Sequence, residues 1–294
     1  MTTATNGNPV YLVTTYEYVP GIAAIDNLST GLRASHWFSD YLNLGMTGYH
    51  QGEPGADQTL KGVDATLRYA PGTWMKLELA QSSGAGNGAQ VSIDGGFGFN
   101  GATTALGEKA DAWRIEGAVD LAEISAKSKG KITAYAQDKD HGFSAPGQIG
   151  LNGEQIRQQG VKAAIELTDT TQLDVKADNR SGEFQDARNA ELALRQKLGA
   201  EWEVALGVRH DNRDNKLVNA SPTLTQNGQR TDALARLAYK PLKEDGKPGE
   251  PENWSAYGFA QGTLAHDDTR DANNRLGAGA TWRVTDRVNL TAEA

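Results

Sequence analysis

Two histidines of the chain are followed directly by aspartates, an arrangement that could supply a general base. His210 precedes Asp211, and His266 precedes Asp267 and Asp268. A histidine oriented by a carboxylate can take a proton from water, which would make the pair a candidate for hydrolysis. Neighbouring side chains of a strand point to opposite faces, so a histidine in a strand turns away from the aspartate after it. We therefore expect no catalytic residue and keep a hydrolase at the rim of the fold as an alternative.

Acidic and glycine-rich loops are the other candidates for ligand chemistry. The segments HDNRDN and HDDTRDANN collect oxygen atoms that suit calcium, but neither has the spacing of a helix–loop–helix calcium site. The chain has no cysteine for a thiolate metal site. The stretch GAGNGAQVSIDGGFGFNG lacks the Lys-Ser/Thr ending of a nucleotide-binding loop. The sequence predicts neither a metal site nor a cofactor.

The alternation of charged and apolar residues is the strongest indication of fold in the chain. The stretch Leu192–Asp211, LRQKLGAEWEVALGVRHD with its flanking residues, alternates on both sides of Gly199 and Ala200. A hairpin with a three-residue turn at 199–201 matches apolar with apolar and acid with base: Leu198 with Trp202, Leu194 with Leu206, Leu192 with Val208, Lys197 with Glu203 and Glu191 with Arg209. A slip by one residue would set charge against leucine, so the register is well specified.

The same alternation recurs along the chain, for example in DAWRIEGAVDL, GVKAAIEL, QLDVKAD and DALARLAYK. Period-two alternation that repeats in this way predicts an all-β protein. We count about fourteen strands of roughly ten residues and a further one that begins at Val288, with VYLVTTYEYV as a less regular first strand. Short turns and long polar loops alternate between these strands. The predicted fold is an antiparallel up-and-down β-barrel of about 14–16 strands.

Composition excludes several classes of function. The net charge of −8 and the absence of a basic patch argue against nucleic-acid binding. No run of eighteen apolar residues exists that could form a transmembrane helix. The beginning, MTTATNGNPVYLV, has no signal peptide, and the last residues, RVNLTAEA, form half a strand without a terminal aromatic residue. We expect residues 1–294 to be a single barrel domain, truncated so that its signal peptide and terminal strand are absent.

The decisive question is which face of the strands meets water. A soluble β-sandwich also alternates, with its apolar face turned inward, and a soluble adhesin or binding module remains an alternative. A barrel of fourteen or more strands is too wide to be filled by side chains, so its interior must be hydrated or plugged. Strands of about ten residues with tight turns at one end and long loops at the other are typical of a transmembrane barrel. We therefore expect the apolar face to contact lipid.

This arrangement predicts two sets of residues. Twelve charged residues are expected to face the lumen: Arg114, Glu116, Lys162, Glu166, Asp174, Lys176, Arg195, Lys197, Glu203, Arg209, Arg236 and Arg283. Seven aromatic residues near the short turns are expected to form a girdle at the membrane–water boundary: Trp37, Tyr69, Trp74, Trp202, Tyr239, Trp254 and Trp282. Within this girdle, Trp74 and Trp254 do not clearly share the apolar parity of their strands.

The chain as a whole resembles bacterial outer-membrane β-barrel proteins. The segments GFSAPGQ, ELALRQKLGAEWEVALGVRHDNRDN, WSAYGFAQGTL and RDANNRLGAGATWRVTDRVNL are similar to barrel regions of very large proteobacterial outer-membrane proteins. The resemblance implies a location in the outer membrane of a Gram-negative bacterium, contact with the lipid bilayer and lipopolysaccharide, and insertion by the barrel-assembly machinery. It implies a membrane anchor or a porin-like channel for small solutes or ions. It supplies no catalytic residue.

Overall fold

The computed structural model describes residues 28–52, 57–84, 90–91, 100–101, 109–145, 153–216, 227–243, 252–285 and 287–294. Of these residues, 75% lie in strands. The strands are β1 Ser29–Trp37, β2 Leu42–Gln51, β3 Gln58–Ala70, β4 Thr73–Ser83, β5 Gln90–Val91, β6 Asn100–Gly101, β7 Ala110–Asp120, β8 Lys129–Lys139, β9 Ile156–Glu166, β10 Thr171–Gly182, β11 Gln185–Leu198, β12 Trp202–Asn215, β13 Gly228–Tyr239, β14 Trp254–His266, β15 Arg275–Thr285 and β16 Val288–Glu293.

Fourteen of these strands form one antiparallel sheet in which each strand pairs with its neighbour in the sequence. The short β5 and β6 form a separate hairpin between β4 and β7. This confirms the predicted all-β, up-and-down meander. Strands β1 and β16 form the edges of the sheet, which is open rather than closed into a barrel. The predicted first strand, VYLVTTYEYV, lies outside the described residues.

One short helix interrupts the strands. Helix α1, Leu121–Ile124, lies in the connection from β7 to β8, where the Asp120 side chain accepts a hydrogen bond from the backbone of Ala122. Among the described residues, no helix has the length and apolar character needed to cross a membrane.

The hairpin formed by β11 and β12 has the predicted register. Leu194 lies opposite Leu206 and Lys197 opposite Glu203, and the other three predicted pairs are also present. The turn begins at Gly199, whose φ of 75° is a left-handed conformation that favours glycine. Alternating polarity was therefore sufficient to fix both the turn and the pairing.

The connections differ between the two ends of the sheet. One end carries short turns, such as Pro71–Gly72 between β3 and β4, and Val288 begins β16 as predicted. The other end carries the long loops, although β10 and β11 are joined there by only Glu183 and Phe184. We refer to these as the short-turn end and the long-loop end.

The sheet has two faces of opposite character. The apolar face carries Leu194 and Leu206, and the polar face carries Arg195 and Glu203. Among the described residues no second layer of strands covers either face. The buried residues are mostly polar or charged. The polar and charged ones are Asn43, Gln58, Asp64, Ser82, Ser144, Glu154, Asp211, Asp232 and Arg270. The buried apolar residues of the described chain are Ala110, Ala118, Phe143, Ala163 and Ala238. Because a single sheet hides the side chains of its concave face, this pattern indicates that the polar face is the concave one.

Candidate functional site

The concave polar face is the candidate functional site, because most of the paired charged groups converge there. All twelve charged residues predicted to face a lumen lie on it, as the strand register shows. The register adds ten basic residues: Arg33, Arg68, Lys76, Lys129, Lys131, Lys139, Arg180, Arg213, Arg230 and Arg275. It adds eight acidic residues: Asp64, Glu78, Asp120, Asp178, Glu191, Asp211, Asp232 and Glu293.

A chain of hydrogen bonds crosses four neighbouring strands of this face. Arg114 Nη1 donates to Gln137 Oε1 over 2.7 Å, and Gln137 Nε2 donates to Gln158 Oε1 over 3.3 Å. Gln158 Nε2 then donates to Asp178 Oδ1 over 3.0 Å. Asp178 also accepts the hydroxyl hydrogen of Tyr135. The network joins β7, β8, β9 and β10 across the sheet and holds Asp178 with neutral donors.

Ion pairs join other strands of the same face. Arg195 Nε lies 2.6 Å from Asp174 Oδ2, and Arg33 Nη2 lies 2.7 Å from Asp64 Oδ1. The Asp64 carboxylate occupies the space beside Gly45, where a Cβ would come within 2.5 Å of it. Gly45 therefore makes room for a nearly buried carboxylate. The first pair joins the neighbouring strands β10 and β11, and the second reaches from β1 across β2 to β3.

A cluster of arginines lies at the long-loop end. Arg270, from the connection between β14 and β15, is 2% exposed and binds the buried Asp211 of β12. Arg230 Nε lies 3.0 Å from Asp232 Oδ2, and Arg213 Nε lies 3.5 Å from Asp211 Oδ2. Burying a charged group costs free energy unless an opposite charge lies close to it. The buried carboxylate of Asp211 is close to more than one guanidinium group, which offsets this cost. The loop is thereby held against the polar face.

A second long connection, between β8 and β9, also turns onto the polar face. Ser144 donates its backbone N–H to Ser82 Oγ over 2.9 Å. Glu154, near the other end of this connection, accepts from Arg180 Nη2 over 2.7 Å. Two loops thus narrow the space above the polar face at the long-loop end.

The two histidines that precede aspartates contact groups other than the carboxylates that follow them. His210 Nδ1 lies 2.9 Å from Thr231 Oγ1, whereas Asp211 is on the other face with Arg270. His266 Nδ1 lies 3.0 Å from the backbone oxygen of Asp267. Among the described residues, no group of three or more histidine, aspartate or glutamate side chains is arranged to hold a metal ion.

The predicted aromatic girdle divides between the two faces. On the apolar face the row consists of Trp202, Tyr239, Trp254 and Trp282, with Trp202 opposite Tyr239 and Trp254 opposite Trp282. Tyr69 lies at a bulge of β3 between Arg68 and Ala70, where the register gives it no partner. The rings of Trp202 and Tyr239 are 4.5 Å apart.

Two tryptophans of the predicted girdle do not belong to this row. Trp37 lies opposite Asn43 and Trp74 opposite Arg68, so both are on the polar face. The guanidinium of Arg68 stacks on Trp37, 4.1 Å from the ring centre. Both residues lie close to short turns, at the same height along the strands as the other aromatic residues. The alternation of side chains along a strand decides the face, and it places both residues with the charged ones. The aromatic row of the apolar face therefore consists of Trp202, Tyr239, Trp254 and Trp282.

Sequence reasoning missed several residues of the site. Asp211 and Asp232 have the parity of the other charged residues and could have been found from it. Arg270 and Glu154 lie in connections, where no periodic pattern predicts that a side chain returns to the sheet.

Comparisons with known proteins place the chain in no family. No family model matches it, and no curated protein matches it. A solved structure titled bacterial polysaccharide outer membrane secretin is similar at 12% identity and a TM-score of 0.42, over 90% of this chain and 82% of that one. Similarity at this level identifies neither function nor family.

Proposed function

We propose that this sheet is the wall of a transmembrane β-barrel in a bacterial outer membrane. Its apolar face contacts acyl chains, and its polar face lines a hydrated lumen. In this role it serves as a membrane anchor or as a porin-like channel. The bilayer with its lipopolysaccharide, the barrel-assembly machinery and small solutes or ions would be its partners. Residues 1–294 would act as one barrel domain, without catalytic activity.

The inverted burial of the two faces carries this proposal. Leu192 is 47% exposed, Leu206 57% and Leu276 85%, while carboxylates on the opposite face are buried. Moving an exposed leucine side chain out of water stabilises a protein by about 1.5–3 kcal/mol. A soluble sandwich would obtain that stabilisation from a second sheet, which the described residues do not include. Lipid would supply it here.

The height of the apolar band fits a bilayer. On the apolar face of β12, the apolar band consists of the alternate residues from Trp202 to Val208, and the next residue of this face is the polar His210. From Trp202 to His210 the strand covers about 27 Å at ~3.4 Å per residue. A tilt of about 40° reduces this to about 21 Å, close to the ~25 Å band of outer-membrane barrels.

Charges on the apolar face are confined to one side of this band. In the described strands the charged residues of this face lie near the long-loop end: Lys61, Asp111, Asp138, Arg157, Asp186, Arg188 and Asp214. A charged side chain costs little free energy near the membrane boundary and much more at the midplane. This distribution supports a band that is embedded in lipid.

The choice between an open channel and a plugged anchor depends on the loops. Arg270 and Ser144 hold two connections against the polar face, and these would narrow a lumen at the long-loop end. Conductance of the reconstituted chain would separate the two roles.

Tryptophan quenching by brominated lipids tests the proposal directly. We would prepare two variants with a single tryptophan each, one retaining Trp202 and the other Trp74. Both residues lie near the short-turn end but on opposite faces. In vesicles with brominated acyl chains, Trp202 should be strongly quenched and Trp74 much less. Equal quenching, or a chain that folds as a monodisperse species in plain buffer, would contradict a lipid-facing apolar surface.

A further inference from the structure

The charges of the polar face are not balanced, although many are paired. The described strands place eighteen lysines and arginines and twelve aspartates and glutamates on this face, which gives a net charge of +6. The chain as a whole has a net charge of −8. The acidic excess is therefore located elsewhere, and the concave face is basic. A basic concave face concentrates anions.

Three lysines on neighbouring strands, which we call the lysine row, contribute to this basic excess: Lys131, Lys162 and Lys176. Lys162 on β9 lies directly opposite Lys176 on β10. Lys131 on β8 is a diagonal neighbour of Lys162, since Thr133 is the direct partner. Directly opposite side chains have Cβ atoms about 5 Å apart, and like charges in that position destabilise a sheet. The fold thus accepts a local electrostatic cost in the middle of the polar face.

The acidic residues around the lysine row are used elsewhere or lie outside ion-pair distance. Asp174 is bound by Arg195 and Asp178 by Tyr135. Glu191 faces Lys176 across the strands but is not within 4.0 Å of it. Within the part of the chain that the structure describes, none of the three ammonium groups makes an ion pair or a hydrogen bond. All three are exposed on the concave face.

We infer that the lysine row is an anion-binding surface, and that the lumen accepts anionic solutes in preference to cations. This inference rests on the proposed function for its reference to a lumen, but the anion-binding surface itself does not require a membrane. Three ammonium groups without carboxylate partners provide up to nine N–H donors for sulfonate, phosphate or carboxylate oxygens. Their mutual repulsion falls when an anion lies between them, so a polyvalent anion should bind better than a monovalent one.

Binding of a pyrene trisulfonate dye tests the surface. Fluorescence anisotropy of the dye would be measured at low ionic strength with the detergent-folded chain, because salt screens exposed charges over about 10 Å at 0.1 M. The double variant Lys162→Gln/Lys176→Gln should bind the dye at least about tenfold more weakly, since two of the three cations are lost. It should fold at least as stably as the parent chain, because the opposed like charges are removed.

The matched control is Lys61→Gln/Arg188→Gln, which removes two cations from the apolar face and changes the net charge equally. Its dye affinity should stay within about twofold of the parent chain. Equal loss of affinity in both double variants, or no binding of the trisulfonate by the parent chain, would overturn the inference.

A planar bilayer separates this inference from the proposed function. Under a salt gradient of potassium chloride, the zero-current potential of the parent chain should lie on the side of the chloride equilibrium potential. In the variant Lys162→Glu/Lys176→Glu it should shift toward the potassium equilibrium potential. A chain that binds dye but does not enter lipid would refute the proposed function and retain the anion surface. A chain that enters lipid but neither binds dye nor prefers chloride would refute the anion surface alone.

Discussion

Placing an arginine in the middle of the apolar band should destabilise the protein in a way that depends on depth. Leu206 is 57% exposed and lies opposite Leu194 and Ala235 on the apolar face. It is four residues from Trp202, or about 14 Å along the strand. At a tilt of about 40° that distance corresponds to a depth of about 10 Å, near the middle of a ~25 Å band.

The expected cost follows from this depth. An arginine at the bilayer midplane of a β-barrel costs about 2–4 kcal/mol, and one near the boundary about 0–1 kcal/mol. Leu206→Arg should therefore lower the folded-to-unfolded ratio in vesicles by about 30-fold to 1,000-fold, since ~1.4 kcal/mol is a factor of ten. Asn212→Arg, on the same strand and face but beyond His210, should change it less than about fivefold.

Denaturant titration in lipid vesicles measures both variants. Tryptophan fluorescence would follow the transition, and the parent chain would supply the reference free energy of unfolding. The reasoning would be refuted if Leu206→Arg and Asn212→Arg lost equal stability, or if Leu206→Arg were neutral. Either result would mean that depth in a membrane does not govern the apolar face.

Two further variants test the polar face. Arg270→Met should destabilise the chain by about 3–5 kcal/mol, because it leaves the buried carboxylate of Asp211 without its closest cation. The denaturant midpoint of this variant would be compared with that of Arg275→Met, whose side chain is exposed. Similar losses of stability in both variants would contradict a role for the contact between the loop and β12. Gly45→Ala should also shift the midpoint downward, since its Cβ would lie 2.5 Å from the carboxylate that binds Arg33. Gly48→Ala on the same strand has no atom within 4 Å and serves as the control, so an equal shift there would rule out the steric explanation.

The pairing of strands could be predicted because it depends on local pattern. In β11 and β12, a slip by one residue would set charged residues against leucines, so the observed register is the one that keeps the leucines on one face. The twelve charged residues followed from the same parity. By contrast, the aromatic residues were assigned by distance from the turns. That criterion gives the level along a strand but not the face, and Trp37 and Trp74 lie on the polar face.

The sequence by itself determined that the chain is an antiparallel meander with one ionic face and one apolar face. Period-two alternation encodes this directly, because each strand residue has only two possible directions. The tertiary structure alone decided that Arg270 and Glu154 return from loops to cover the ionic face, and that Lys162 lies opposite Lys176. These features depend on how strands and loops far apart in the chain come together, and no local period records that.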